Sequence, residues 1–188
     1  MNTLKNIYYA LCKQGYETDK GTVHSYLDVY EEILAPYRET AENILEIGVF
    51  KGHSLRLWTE YFKGGVIGVD CHIKPHGGLA DLTDIVKLGA FNILIFDATN
   101  KDIVKEAFKN IKFDVIIEDA NHSIEQQVEL YNVYKDYLND GGIYIVEDVQ
   151  DIDSTKEIFE NLDNSKKITI LDRRNIKGRY DDVLVIIQ

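Results

Sequence analysis

The chain has 188 residues, enough to bury a full hydrophobic core, and is 45% apolar and 28% charged, as ordinary globular domains are. Its 21 basic residues against 32 acidic ones leave a net charge of −11. That balance argues against a nucleic-acid partner, which calls for a basic footprint, and against an anionic membrane surface, while it suits a site that collects cations.

Residues 4–13 and 24–35 carry helical patterns, the second with Leu27, Tyr30 and Ile33 or Leu34 on one face. Five short apolar runs follow: NILEIG (43–48), GVIGVD (65–70), NILIFD (92–97), FDVIIED (113–119) and GGIYIVED (141–148). They are rich in β-branched residues and continuous rather than alternating, the pattern of strands buried on both faces. Amphipathic stretches lie between them, with Leu55, Trp58 and Phe62 in 55–62, and Ile124, Val128, Tyr131, Tyr134 and Leu138 in 124–138. Tyr131, Tyr134 and Tyr137 are expected to pack in the core. Alternating strands and helices imply βαβ units, hence an α/β fold with a parallel sheet and helices on both faces. The tail differs: KITIL (167–171) and VLVII (183–187) have no helix between them, so an antiparallel hairpin is expected to finish the sheet. CHIKPHGGLADLT (71–83) reads as a loop.

Cys12 and Cys71 supply neither a metal spacing nor a disulfide framework, and no apolar run approaches the ~20 residues that span a bilayer. The start, MNTLKNIYYA, lacks a signal-peptide core, so a cytoplasmic protein is expected.

Each of the five parallel runs finishes on acid: Glu46 (two before Gly48), Asp70, Asp97, Glu118–Asp119 and Glu147–Asp148. In an open α/β sheet ligands bind outside the carboxyl ends of the strands, so these acids crowd one edge. Like charges gathered there need a cation or hydroxyl donors to stabilise them. The first turn reads E46-I-G-V-F-K-G52-H-S, acid-x-Gly-x-x-x-Gly; a dinucleotide fingerprint would need glycine where Phe50 stands. Asp70 is placed to accept from two ribose hydroxyls.

With Asp70, Asp97 and the terminal hairpin, this turn resembles that of the class I S-adenosylmethionine (SAM)-dependent methyltransferases, over about residues 40–188. "ETDKGTVHSYLDVYEEILAPYR" (17–38), "EDANH" (118–122) and "GGIYIVED" (141–148) narrow the resemblance to the metal-dependent sugar O-methyltransferases of macrolide biosynthesis, the macrocin and mycinamicin type. The resemblance implies one SAM-dependent methyltransferase domain over 1–188, with a helical lead-in at 1–40 and a Rossmann-like core at 41–188. It implies Mg²⁺ or another divalent cation on Asp119, Glu147 and Asp148, and His122 as general base beside Asp119. Cofactor contacts fall to Glu46, Gly48, Gly52, Ser54, Asp70, Asp97 and Lys20, the last in a stretch with Tyr16, Thr18, Asp19 and His24 that reads either as a flap over the ligands or as a polar turn capping 24–35.

Mg²⁺ takes oxygen ligands, and coordination lowers the pKa of a hydroxyl as it does that of water, so that an imidazole can remove the proton. Ser123-Ile-Glu-Gln126 reads as a capping box, which puts His122 just before a helix whose positive end favours the neutral imidazole. Glu118 has no firm role, cofactor-facing or behind the ligands. Arg173, Arg174 and Arg179 read as solvated hairpin charge, and the segments 71–91 and 172–182 as the walls of the acceptor site. The expected acceptor is a hydroxyl on a sugar or glycosylated small molecule. Quaternary structure stays open, a homo-oligomer being one form of it. The other readings are a non-catalytic SAM- or nucleotide-binding module of a biosynthetic complex and, less compatible with Phe50, an NAD-dependent oxidoreductase.

Overall fold

The structure, a computed structural model, describes residues 2–71 and 91–188. Most of the loop read at 71–83, and of the wall expected at 71–91, lies outside the described residues.

Seven strands form one sheet in the order β3-β2-β1-β4-β5-β7-β6. They are β1 (Asn43–Ile47), β2 (Gly65–Asp70), β3 (Phe91–Ile95), β4 (Phe113–Glu118), β5 (Leu138–Val146), β6 (Ile168–Asp172) and β7 (Val183–Ile187). β1 pairs in parallel with β2 and β4, β2 with β3, and β4 with β5. β7 runs antiparallel to both β5 and β6, so it alone reverses direction.

Among the described residues the α-helices are α1 (Leu4–Cys12), α2 (Asp19–Thr22), α3 (Leu27–Leu34), α4 (His53–Tyr61), α5 (Lys101–Ala107), α6 (Ile124–Tyr134), α7 (Ile152–Glu160) and α8 (Arg174–Lys177). The continuous apolar strands divide residue by residue between two cores. Ile44, Val66, Val115, Ile117, Ile143 and Ile145 face α1, α3 and α4, whereas Leu45, Ile47, Val69, Ile116, Tyr144 and Val146 face the layer holding Tyr131, Tyr134 and Phe159. Tyr131 and Tyr134 are buried, as a core role requires.

Three boundaries depart from the pattern read in the sequence. The helix expected at 24–35 is shorter: α3 begins at Leu27 and gives way to a 3-10 turn at Ala35–Tyr37, while Asp19–Thr22 makes a separate turn before it. The helix at 124–138 ends at Tyr134, passes through a 3-10 turn at Lys135–Tyr137, and yields Leu138 to β5. The connection from β6 to β7 contains α8, where no helix was expected. There Arg173 donates to the carbonyl and hydroxyl of Ser25 (3.0 and 2.9 Å), and Lys177 donates to the carbonyls of Gly21 and His24 (both 2.7 Å). The connection thus clamps the segment between α2 and α3. Arg174 does lie at the surface, paired with Asp153 and Asp172.

The direction of strand addition changes between β1 and β4, and in open α/β sheets that switch point opens a ligand crevice at the carboxyl ends of the strands.

Candidate active site at the strand tips

Gly48 follows β1 with φ +96°, and a β-carbon there would overlap the carbonyl oxygen of Asp119. Glycine is therefore needed twice, for the left-handed turn and for the contact of β1 with the end of β4. The Asp119 N–H donates to the Ile47 carbonyl at 2.8 Å, closing the same junction. One Asp70 oxygen accepts from the Val49 and Phe50 N–H groups (2.9 and 3.2 Å), tying the turn to β2. Gly52, φ +72°, caps α4.

Beyond this turn lies a cleft of about 390 Å³, bordered by Glu17–Asp19, Gly48–Lys51, Asp119 and His122. A second hollow of about 190 Å³, with Val69, Asp70, Asp97, Ala98 and Leu130 on its walls, meets it at Gly48 and Ala120. Asp97 lies two residues beyond β3 and also shapes its own turn, accepting from the N–H and hydroxyl of Thr99 (3.0 and 2.8 Å).

The acids converge as the sequence suggests. Asp119 Oδ1 lies 3.1 Å from His122 Nε2, and Asp148 Oδ2 lies 3.9 Å from the same nitrogen. At their centre stands Lys20. Its fully buried ammonium lies 2.6 Å from Asp119, 3.0 Å from Glu147 and 3.5 Å from Glu46. Assigned above to the cofactor, Lys20 spends its charge on the acids instead. Glu46 and Ser54 bond to each other at 2.8 Å, and Glu46 also accepts from Trp58 Nε1 at 3.1 Å. Glu118 is fully buried; its Oε1 accepts from the Ala120 N–H, and its Oε2 has no hydrogen-bond partner among the described residues.

Four further residues complete this shell; His24, Tyr26 and Tyr30 lie in the 17–38 stretch, where nothing in the sequence places them beside the acids. The Tyr30 phenol donates to Glu147 Oε1 at 2.5 Å and the Tyr26 phenol to Asp148 Oδ1 at 2.7 Å. Gln127 Nε2 holds the Glu147 carbonyl at 2.9 Å. His24, stacked on Tyr26, lies 3.3 Å from Asp148 Oδ2. The available signal was two tyrosines four apart on one helix face, next to a buried strand that ends in Glu-Asp.

Among the described residues four non-glycine positions have positive φ: Phe50 (+47°), His122 (+62°), Asp148 (+54°) and Asp151 (+49°). Three of them stand at this edge. Such conformations cost on the order of 1–3 kcal/mol each and persist where the surroundings over-determine them.

Burial and mutual repulsion set the charge states. Burial pushes Glu46 up to about 7 against the pull of Lys20, and Glu118 up to about 8. Burial likewise raises Glu147 and Asp148, with Asp119 adding to both. For Asp119 burial is outweighed by Lys20 and His122, which hold it below the usual carboxylate range. Burial opposes the His122 imidazolium, but Asp119 and Asp148 raise its pKa to about 9. The neutral imidazole expected from the helix end is thus corrected: Ser123 does cap α6, yet the carboxylates outweigh the helix dipole.

A consequence for stability follows. Glu46, Glu118, Asp148 and His122 all keep their protons to higher pH in the folded state than in the unfolded one. The folded state therefore binds more protons from about pH 5 to 9, and its stability falls as pH rises through that window. Asp119 acts in the opposite sense only below its ordinary 3.8, and His24, lowered by burial, only up to about its ordinary 6.5. In EDTA the melting temperature is expected to be at least about 3 °C lower at pH 8.5 than at pH 6, equivalent to roughly 1 kcal/mol for a domain of this size. A melting temperature that is flat or rises over this interval contradicts the assignment.

The donor set fits a hard divalent cation. Asp119, His122 and Asp148 can each place one ligand atom within 4.8 Å of the others, and so can Glu46, Asp119 and Glu147, the three acids that Lys20 joins; Glu147 and Asp148 of the expected set fall in different groups, with Asp119 common to both. Three carboxylates share one fully buried ammonium, and burial above all raises Glu46, Glu118, Glu147 and Asp148.

A family model described as a methyltransferase domain matches residues 45–149. The 8-demethyl-8-alpha-L-rhamnosyl tetracenomycin-C 2'-O-methyltransferase of Streptomyces olivaceus is 33% identical over 148 residues, covering 71% of this chain and 35% of the relative. The demethylmacrocin O-methyltransferase of Streptomyces fradiae is 28% identical over 144 residues, with 71% and 34% covered. The chain spans about a third of the length of these curated relatives. A solved methyltransferase of the mycinamycin biosynthetic pathway, in complex with Mg and SAH, matches 100% of this chain and 54% of its own at TM-score 0.70 and 18% identity. Aeropyrum pernix fibrillarin matches 81% and 68% at TM-score 0.61 and 18% identity. These two likenesses show the shared Rossmann-like fold.

Proposed function

The chain belongs to the methyltransferase-domain family, and from that premise we propose that it is a SAM-dependent O-methyltransferase acting on a hydroxyl of a sugar or glycosylated small molecule. One observation carries the reading: Asp119 and His122 border the cleft at the glycine turn, with the buried Glu147 and Asp148 close against them. The names of the relatives as sugar O-methyltransferases, and the Mg and SAH of the mycinamycin-pathway enzyme, support it.

SAM supplies the methyl group: the acceptor oxygen attacks the methyl carbon and the sulfur leaves as a thioether. A divalent cation on Asp119, Glu147 and Asp148 would acidify the acceptor hydroxyl and offset the carboxylate charge that keeps a proton on His122. The chain's own residues do the rest. Asp119 accepts from His122 Nε2 and orients the ring, so that Nδ1 is the atom that takes the hydroxyl proton. Asp70 anchors the turn whose backbone faces the methionine end, and Val69, Ala98 and Leu130 offer apolar walls to the adenine. Crowding in the cleft aligns acceptor and methyl carbon.

Lys20, already lodged on two of the three ligand carboxylates, favours a second reading, a SAM-binding module without metal or catalysis. Calorimetric titration with SAM, combined with transfer of a labelled methyl group to rhamnosides and deoxysugar nucleotides, each with Mg²⁺ or EDTA, separates the two. Mg²⁺-dependent transfer is expected. Full transfer in EDTA removes the metal from the mechanism, and SAM binding without transfer to any acceptor supports the module.

A further inference from the structure

We infer that Tyr26 and Tyr30 are positioning residues that make the cation site selective for Mg²⁺ over Ca²⁺, by occupying one oxygen on each member of the Glu147–Asp148 pair. The inference rests on the metal reading above and deepens it.

Each carboxylate has two oxygens and could clasp a large cation with both. In this fold one oxygen of each is already engaged. Glu147 Oε1 is taken by the Tyr30 phenol and Asp148 Oδ1 by the Tyr26 phenol. The other oxygens meet cationic or imidazole partners: Glu147 Oε2 lies 3.0 Å from Lys20, and Asp148 Oδ2 lies 3.3 Å from His24 and 3.9 Å from His122. Both phenols belong to fully buried rings. Tyr30 packs edge-on against Trp58 (centroids 5.1 Å) and Tyr26 (6.2 Å), and Tyr26 stacks on His24 at 4.8 Å. Trp58 is itself tied to Glu46. The rings cannot swing away without breaking this stack, so each phenol holds one oxygen of its acid and disfavours bidentate coordination.

The ions differ in what they need. Ca²⁺ takes six to eight oxygens at longer distances and commonly uses a carboxylate bidentately, whereas Mg²⁺ demands six in near-octahedral array and keeps several waters. Acids locked as single donors satisfy Mg²⁺ and deny Ca²⁺ its extra ligands. A phenol-to-phenyl change keeps the packing and releases the oxygen.

The test is calorimetric titration of the chelator-treated protein with MgCl₂ and with CaCl₂, for wild type, Tyr30→Phe, Tyr26→Phe and the double variant. Melting curves in EDTA and SAM titrations accompany it as folding controls. The wild type should prefer Mg²⁺, and the Kd ratio should shift toward Ca²⁺ by at least about fivefold in each single variant and further in the double. SAM affinity should stay unchanged. Ratios within about twofold of wild type in both single variants, with folding controls intact, overturn the inference while leaving the metal reading standing. If one single variant does not fold, the other carries the same test. A wild type that binds neither ion overturns both, and is recognised by the absence of heat in the first titration.

Discussion

Asp119→Asn lowers kcat for methyl transfer by at least about 10³-fold and leaves SAM affinity within about threefold of wild type. The side chain joins both charged partners of the site, with Oδ1 on His122 and Oδ2 on Lys20. An amide in its place removes the charge that orients the imidazole and can hold the ring in the wrong tautomer, which costs about 10⁴ in kcat in serine-protease triads. The part of Asp119 that meets the cofactor turn is its main chain, through the contact beneath Gly48, and asparagine keeps it. His122→Ala should move activity the same way, by about 10²–10⁴, the usual worth of a general base. Steady-state kinetics and calorimetric SAM titration on both variants read the outcome. An Asp119→Asn enzyme retaining more than a tenth of wild-type kcat removes this residue from the chemistry.

Lys20→Met should be the most destabilising single change at the site. Breaking a buried ion pair by removing one partner costs about 3–5 kcal/mol, because the remaining charge has nowhere to go. Here three acids lose their shared counter-ion. At about 2–4 °C per kcal/mol, the melting temperature should fall by roughly 10 °C. The loss should depend on pH. Lys20 opposes the rise of Glu46 and Glu147, so without it both carboxyls stay protonated to still higher pH and the variant pays little at pH 5.5. The gap to wild type therefore widens as pH rises to 8 and narrows when Mg²⁺ is added. A gap independent of both pH and Mg²⁺ points to lost packing of the lysine stem rather than lost charge.

How much of this was legible can be traced residue by residue. The strands were, because a both-faces-buried strand writes an unbroken apolar run, and Ile44 to Ile47 do go alternately to opposite cores. The convergence of Asp119, His122 and Glu147–Asp148 was legible because parallel strands deliver their ends to one edge. Boundaries were less so. Leu138 fits the face of α6 as well as the start of β5, and only the pairing of Phe113 with Leu138 decides. The protonation of His122 was misread because the helix end is local in sequence while Asp148 is not. Tyr26, Tyr30 and Lys20 were hardest, since a helix face that packs and one that donates hydrogen bonds look alike until its partner is known. Glu118, ambiguous at first, is a fully buried carboxyl that accepts from the Ala120 N–H.

The lead-in segment also bears on the order of folding. Lys20 meets Asp119 across 99 positions, Tyr30 meets Glu147 across 117, Tyr26 meets Asp148 across 122, and Ser25 meets Asp182 across 157. During synthesis these residues emerge first, but their partners follow only as the second half of the sheet is made. Contacts so distant in sequence are the slow ones to close. The nascent chain therefore carries a waiting arm until Glu147 and Asp148 have been made, and Ser25 waits longer still for Asp182.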